Sequence, residues 1–302
     1  MSNQVDTLNV KSPVIWTPET IEKAVELKEQ LGLNAEFISG GTLLQLQWAS
    51  GRKLPEYLIS LEGILEMKSI KFDQKNAELS IGAITPLGAY QTNKILKEFP
   101  VFCEALKSIA APGIRNRGTI GGNLMGGIGD LIPFFLSLNA NLVFCNAGNF
   151  EQINIWDWVK QSAAKERLLS KILIPLDKDT METYTFYRKI GRRETFTAAI
   201  LTVSGKIKWN PSNNIAEAKL AIGGGDNKPV RLEKTEQYLL GKKGAELDWK
   251  NIYSIITDEF IALDDAFVTG SYRKKVAANL IVAELQSQFI QSGYREEQVY
   301  EI

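Results

Sequence analysis

The sequence predicts a two-domain α+β fold. Its 302 residues are 44% hydrophobic and 23% charged, a composition typical of globular proteins with about two domains of roughly 150 residues each. Strand and helix signals are mixed in the first half of the chain, whereas long strands followed by helices occupy the second half. A proline followed by the charged stretch 177–180 predicts the domain boundary near residue 178.

Helix caps, hydrophobic periodicity and turn residues predict the elements of the first domain. Thr17 and Pro18 are typical of a helix start, and Gly32 is typical of a helix end. The apolar stretch 43–48 predicts a short buried helix. The other predicted elements are strands at 35–38, 57–61, 67–72, 78–84, 141–145 and 168–175, and helices at 86–98, at 102–109 and from 131 onward.

A long glycine-rich stretch and an antiparallel sheet complete the prediction. Residues 110–130 contain seven glycines, but apolar, arginine and asparagine residues are interspersed among them, so we expect an ordered loop and not a linker. In the second domain, long strands at 183–190, 198–209 and 216–222 predict an antiparallel sheet. Helices are expected from about residues 233, 249 and 272.

Composition excludes several kinds of function. The chain contains no histidine, which rules out histidine-based triads, histidine metal sites and a flavin attached through histidine. Its two cysteines, Cys103 and Cys145, are expected to be buried thiols and are too few for an iron–sulfur cluster. The net charge is zero with no basic stripe, so nucleic acid is not an expected partner. Without a leader or membrane-span pattern, we predict a cytoplasmic protein.

Two glycine clusters are the candidate binding elements. The first, Ser39-Gly40-Gly41-Thr42, joins a predicted strand to a helix, and the second, Thr119-Ile120-Gly121-Gly122-Asn123, lies in the long loop. Consecutive backbone N–H groups in such turns attract phosphate oxygens, and a helix start adds its positive end. Neither cluster is a dinucleotide-binding or P-loop fingerprint. Either alone is more often an ordinary tight turn, but together they form an ordered pattern that chance rarely produces.

The pair of clusters resembles the medium, FAD-binding subunit of bacterial molybdenum hydroxylases, the xanthine dehydrogenase and carbon monoxide dehydrogenase family. The family fold is of the vanillyl-alcohol-oxidase type, with two FAD-binding subdomains and a C-terminal domain of antiparallel sheet plus helices. The resemblance implies an FAD domain at 8–178, with subdomains at about 8–62 and 63–178, and a C-terminal domain at 179–295. It rests on the first turn and on 111–116, 119–123, Asp130, 168–175, 186–193, 221–225, 229–231 and 240–241.

The resemblance also implies roles for individual residues. Asp130 would accept hydrogen bonds from the ribityl or ribose hydroxyls, and Leu169 would pack near the flavin ring. Lys189, or less favourably Arg188, would place a positive charge near the pyrimidine end of the ring. The residues implied to hold the FAD diphosphate non-covalently are Gly40, Gly41, Thr42, Thr119, Gly121, Gly122 and Asn123, with Ser39 and Leu43 beside them in the first turn.

Simpler interpretations remain open for these side chains. Asp130 could cap the helix that follows it, and Lys189 could be a solvated surface charge. Leu169 could be an ordinary core residue. Arg115 and Arg117 could bind phosphate or could fix the glycine-rich loop by bonding to its carbonyl groups.

The resemblance implies that the chain carries electrons and does not oxidise the substrate itself. Its partners would be an iron–sulfur subunit and a large molybdopterin-binding subunit, and its acceptor NAD, oxygen or a quinone. Two alternatives stay open: a stand-alone NAD(P)H-dependent flavoprotein of the same fold, similar to the reductase that makes UDP-muramate, and a scaffold subunit that has lost its flavin. The substrate of the complex is not encoded in this chain.

Overall fold

The structure, a computed structural model, describes residues 12–161, 167–179, 181–193 and 198–291. The predicted domain ends at 8–11 and 292–295 lie outside these residues. Within them, the fold contains three β-sheets, which follow one another along the chain and are joined and covered by helices. No helix in this part of the chain is long and apolar enough to cross a membrane.

The first sheet is small and parallel. Its three strands lie in the order β1-β3-β2, and one face packs on helix α1 through Ile21, Ala24 and Val25. Helix α1 starts later than predicted because the hydroxyl of Thr20, and not that of Thr17, caps the Lys23 N–H at 3.2 Å. The elements are β1 Val14–Trp16, α1 Ile21–Leu31, β2 Ala35–Ile38, α2 Thr42–Ala49 and β3 Tyr57–Ser60.

Helix α2 forms at the predicted place but is not buried. Leu43 is 43% exposed and Leu46 is 69% exposed, and no residue of α2 belongs to the core. Apolar composition indicated burial, but burial also requires a neighbouring element, and none covers this side of α2 in the described part of the chain. The prediction of a buried helix was therefore wrong.

The second sheet is antiparallel and has five strands in the order β4-β5-β8-β6-β7. Strand β4 begins at Ile70 and not at residue 67, because a 3₁₀ turn at Leu65–Lys68 precedes it. Strand β7 was not predicted, since four of its six residues are polar. The strands are β4 Ile70–Asp73, β5 Glu78–Gly82, β6 Asn141–Asn146, β7 Asn149–Asn154 and β8 Leu168–Pro175.

Short helices connect β5 with β6. The predicted helix 86–98 is divided into a 3₁₀ turn at Leu87–Gln91 and a helix that starts after Asn93, whose side chain caps the Leu96 N–H at 3.1 Å. The glycine-rich loop is ordered, as predicted, but it contains two helical turns. The helices are α3 Lys94–Lys97, α4 Pro100–Ser108, α5 Pro112–Arg115, α6 Ile120–Met125, α7 Ile132–Ser137 and, after β7, α8 Ile155–Lys160.

The third sheet confirms the antiparallel prediction for the second half of the chain. Its order is β12-β11-β10-β9, and helices α9, α10 and α11 pack on it. Strand β12 was not predicted. The elements are β9 Glu182–Gly191, β10 Ala199–Trp209, β11 Ile215–Gly224, β12 Asn227–Arg231, α9 Glu233–Leu239, α10 Trp249–Glu259 and α11 Gly270–Gln291.

The hydrophobic core forms two clusters, one under the first two sheets and one under the third. Helix α7 joins them, since its Ser137 hydroxyl lies 2.8 Å from the Ser204 hydroxyl of β10. The predicted boundary at 178 falls between β8 and β9 and remains a prediction. Of the two cysteines, which are both free, Cys145 is buried as predicted, whereas Cys103 is only half-buried.

Candidate functional site

The first glycine cluster forms a tight turn between β2 and α2. Gly41 has a left-handed conformation, with φ 67° and ψ −1°, and occupies the N-cap position of α2. Glycine suits this position because side chains with a Cβ rarely adopt a positive φ. The turn therefore directs the start of α2, with its unpaired backbone N–H groups, toward the second glycine cluster.

Backbone N–H groups of this turn are available to a ligand. Among the described residues, the N–H groups of Gly40, Gly41, Thr42, Leu43 and Leu44 have no hydrogen-bond acceptor; the next one, of Gln45, donates to the Gly41 carbonyl at 3.0 Å. Five consecutive unpaired N–H groups at a helix start form an anion-binding cradle of the type that holds phosphate oxygens.

The second glycine cluster has a different construction. Its backbone N–H groups are already used at positions 120–123: Ile120 donates to Thr85 O at 2.9 Å, and Gly121 to Ala83 O at 2.7 Å. Gly122 donates to the Thr119 hydroxyl at 3.1 Å, and Asn123 to Thr119 O at 3.0 Å. The expectation of a second cradle of free N–H groups was thus wrong, because this cluster is the capped start of α6.

Glycine is required in the second cluster for close packing. A Cβ on Gly121 would lie 2.6 Å from the carbonyl oxygen of Ala83, and one on Gly122 would lie 2.9 Å from the Thr119 hydroxyl. Side-chain groups remain for a ligand. The Thr119 hydroxyl can still donate its proton, and the amide nitrogen of Asn123 has no partner among the described residues, since only its oxygen is used, by the Leu131 N–H at 3.0 Å.

The two clusters are in contact with each other. A Cβ on Gly40 would overlap the carbonyl oxygen of Arg117, just before the second cluster. A Cβ on Gly118 would lie 3.3 Å from the Thr42 hydroxyl, and one on Gly126 would lie 3.0 Å from a methyl group of Leu43. The fold therefore brings together two turns that are about 80 residues apart in the sequence, as the two-cluster hypothesis requires.

Asp130, which lies between α6 and α7, and Lys189 of β9 form an ion pair. Lys189 Nζ lies 2.7 Å from Asp130 Oδ2 and also donates to the Ser108 carbonyl at 3.1 Å. The Lys189 side chain is only 7% exposed, so its interpretation as a solvated charge was wrong. The interpretation of Asp130 as a helix cap was also wrong, since the N-cap of α7 is Leu131 and no side chain caps this helix. A buried charge pair at a domain junction is a feature of binding sites as well as of structural ion pairs.

The neighbouring cation, Arg188, has other partners. Its Nε lies 2.6 Å from Glu284 of α11, and its Nη1 lies 3.3 Å from Glu104 of α4. Leu169 is a core residue of β8, 3% exposed and opposite Phe144 in the sheet, so its simpler interpretation is confirmed; a contact with a flavin ring stays a prediction.

Arg115 fixes the glycine-rich loop, which confirms one of the two interpretations that the sequence left open for it. Its guanidinium is buried and donates to the Ile109 carbonyl at 2.9 Å and to the Ala110 carbonyl. Arg117, by contrast, has an exposed side chain. Sequence reasoning missed Tyr187 and Ser108, which lie beside the ion pair. The available signal was strand alternation, since Tyr187 and Lys189 are two residues apart and share a face of β9.

Comparison with known proteins gives the class. Residues 8–177 match the family model described as the FAD binding domain in molybdopterin dehydrogenase, and residues 185–287 match the CO dehydrogenase flavoprotein C-terminal domain. The chain belongs to this family of FAD-binding medium subunits of molybdenum hydroxylases. Its cofactor is FAD, and it is an oxidoreductase subunit of the xanthine dehydrogenase family, as the resemblance implied.

Individual relatives are distant but cover most of the chain. The glyceraldehyde dehydrogenase medium chain of Sulfolobus acidocaldarius is 26% identical over 74% of this chain and 79% of its own length. The carbon monoxide dehydrogenase medium chain of Afipia carboxidovorans is 28% identical over 74% and 78%. A solved structure of carbon monoxide dehydrogenase from Hydrogenophaga pseudoflava matches with a TM-score of 0.84 at 22% identity, covering 93% of this chain and 98% of that one. The predicted fold is thus confirmed.

The residues present fit an FAD diphosphate. Two phosphate groups need several donors and a close approach to the main chain, and the five unpaired N–H groups from Gly40 to Leu44 offer both. The Thr119 hydroxyl and the Asn123 amide nitrogen add donors from the adjoining turn. The first cluster therefore offers backbone N–H groups, and the second offers side chains.

Proposed function

We propose that this chain is the electron-relay subunit of a molybdenum hydroxylase complex, taking electrons from iron–sulfur clusters of a partner subunit. Bound FAD supplies the chemistry, because it accepts one or two electrons at a time. The main support is the unpaired N–H cradle from Gly40 to Leu44, which adjoins the second turn. The chain itself, with no histidine and two cysteines, has no ligand set for a cluster.

Different residues of the site would bind different parts of the cofactor. The first turn, from Ser39 to Leu43, would bind the diphosphate together with Thr119 and Asn123, while Gly121 and Gly122 would let α6 pack closely behind it. Asp130 would accept hydrogen bonds from ribityl or ribose hydroxyls. Lys189, held by Asp130 and Ser108, would stabilise negative charge on the reduced ring; its burial supports this role, since a charge acts more strongly when it is shielded from water.

Partners and acceptor follow from the same reasoning. An iron–sulfur subunit would deliver single electrons and a large molybdopterin-binding subunit would oxidise the substrate, which the family membership of this chain supports. The final acceptor would be NAD, oxygen or a quinone. A cytoplasmic location remains a prediction from the sequence.

The decisive experiment separates this chain from its partners. The isolated chain should bind FAD, visible as flavin absorbance after gentle purification, and should not oxidise aldehydes or purines. Adding the two partner subunits should make the flavin reducible by the substrate of the complex. Hydroxylating activity in the isolated chain would overturn the proposal.

An anaerobic titration with NADH and NADPH would address the stand-alone alternative. Rapid and complete bleaching of the flavin in the isolated chain, followed by reduction of a second small substrate, would identify a self-sufficient oxidoreductase. In a relay subunit, by contrast, NADH would bleach the flavin by running the normal electron delivery to NAD in reverse, and no second small substrate would be reduced.

A further inference from the structure

Two residues on one face of β9 reach the same two points of the first domain. Lys189 contacts the Asp130 carboxylate and the Ser108 carbonyl. Tyr187, two residues earlier, donates its hydroxyl to the Asp130 carbonyl at 3.3 Å, and the Ser108 hydroxyl lies 3.4 Å from the same phenol oxygen. The end of α4 and Asp130, two residues before the start of α7, are thus tied to one strand of the third sheet.

Tyr187 is built into this junction as a neutral donor. It is 1% exposed, and its ring packs edge-on against Phe134 at a centroid distance of 6.1 Å. Burial, and then the negative charge of Asp130, raises the pKa of Tyr187 far above its usual range. The phenol consequently stays protonated and can donate its hydrogen bond at any ordinary pH.

Hydrogen bonds from distant residues surround Asp130. It lies at the end of the glycine-rich stretch 124–129, and the helix that follows has no side-chain cap. The bond from the Leu131 N–H to Asn123 holds the chain on one side, and the bond from Tyr187 holds the Asp130 carbonyl on the other. We infer that Tyr187 is a positioning residue that holds the Asp130 carboxylate toward the cofactor. This inference rests on the proposed cofactor role of Asp130.

The test is a double-mutant cycle on FAD binding by the full chain. Tyr187→Phe removes one hydroxyl and keeps the ring, so we expect the Kd for FAD to rise about fivefold, the effect of losing one hydrogen bond of ordinary strength. If Tyr187 acts through Asp130, the same substitution should change the Kd by less than about twofold in an Asp130→Asn background. A merely structural role would give the same factor in both backgrounds.

The chain offers a matched control on the same strand. Tyr184 donates its hydroxyl to the carboxylate of Glu284 in α11 at 2.5 Å, so Tyr184→Phe deletes a stronger, charge-assisted bond of β9 that does not involve Asp130. We expect its Kd for FAD to equal that of the wild type. An equal rise in Kd for both variants would overturn the inference, because it would mark a general weakening of β9.

Other outcomes separate this inference from the proposed function. An unchanged Kd in Asp130→Asn and Lys189→Met would contradict the proposed cofactor site itself. A raised Kd in those two variants with no change in Tyr187→Phe would contradict only the positioning role. If Tyr187→Phe does not fold, Ser108→Ala replaces it; a roughly twofold rise in Kd that disappears in the Asp130→Asn background supports the inference, and no rise overturns it.

Discussion

The carbonyl oxygen of Arg117 occupies the space that a Cβ at Gly40 would need. Position 40 follows a parallel strand of the first sheet, and position 117 belongs to the loop that follows α5. Because the two backbones touch, the unpaired N–H groups after Gly40 face the same region as the side chains of the second turn. This contact makes one binding site out of two turns.

Gly40→Ala should separate the two turns. The added methyl group would meet main-chain atoms of Arg117, which cannot move without displacing the glycine-rich loop, so we expect the free energy of unfolding to fall by about 3 kcal/mol and FAD to be lost on gel filtration. Gly113→Ala is the matched control. Nothing lies within 4 Å of its Cβ position, and stability and FAD content should remain unchanged.

Lys189→Met should make the flavin harder to reduce. Loss of a buried cation disfavours the anionic reduced ring, and we expect the midpoint potential to fall by about 30 mV, equivalent to roughly 1.4 kcal/mol for two electrons. Redox titration with a reference dye measures it. Arg188→Met is the control, since Arg188 pairs with Glu284 and Glu104. The reverse pattern would identify Arg188 as the cation near the flavin.

Arg115→Met should destabilise the loop without removing a phosphate ligand. The carbonyl groups of Ile109 and Ala110 would lose their charged donor. We therefore expect the free energy of unfolding, measured by chemical denaturation, to fall by about 2 kcal/mol. The exposed Arg117 provides the comparison, and Arg117→Met should change stability by less than about 0.5 kcal/mol. Equal destabilisation by both substitutions would contradict the assignment of loop fixation to Arg115.

Asp177 should make the domain junction sensitive to acid. Its carboxylate accepts hydrogen bonds from Lys206 at 2.9 Å and Lys208 at 3.0 Å, two lysines that lie on β10. Burial alone would raise the pKa of Asp177, but the hydrogen bonds and charges of the two lysines outweigh burial and hold the pKa below its usual range. A carboxyl group of this kind stabilises the fold above its unfolded pKa of about 3.9, and the stabilisation disappears as the pH falls through the folded value.

Asp177→Asn should therefore lower the free energy of unfolding at pH 7 by about 1–2 kcal/mol, and the difference from the wild type should shrink as the pH falls below roughly 4. Denaturant unfolding at several pH values measures both. Asp157→Asn serves as the control because both members of its ion pair with Lys160 are more than half exposed. A difference for Asp177→Asn that persists undiminished at low pH would contradict the ion-pair explanation.

Local signals were sufficient for much of the fold. Strands β2 and β8 have the predicted bounds, because each is a run of strand-forming residues bounded by turn residues. Prediction failed where local signals were misleading or missing. The Thr17–Pro18 signal indicated a helix start, but the capping hydroxyl in the structure is that of Thr20, one turn later. The polar strand β7 has no hydrophobic alternation, and its pairing with β6 defines it.

The sequence by itself determined the family, the FAD cofactor, the glycine turns and the absence of any histidine chemistry, since these depend on which residues are present and in what order. Tertiary structure decided which groups are free to bind. Both clusters have glycines, but bonds to Ala83, Thr85 and Thr119 use the N–H groups of residues 120–123 in the second, whereas those of the first have no acceptor among the described residues. Lys189 could be interpreted from the sequence as a surface charge, but in the structure it is buried and paired with Asp130. The sequence could not show this, because burial and pairing arise only when distant segments of the chain pack together.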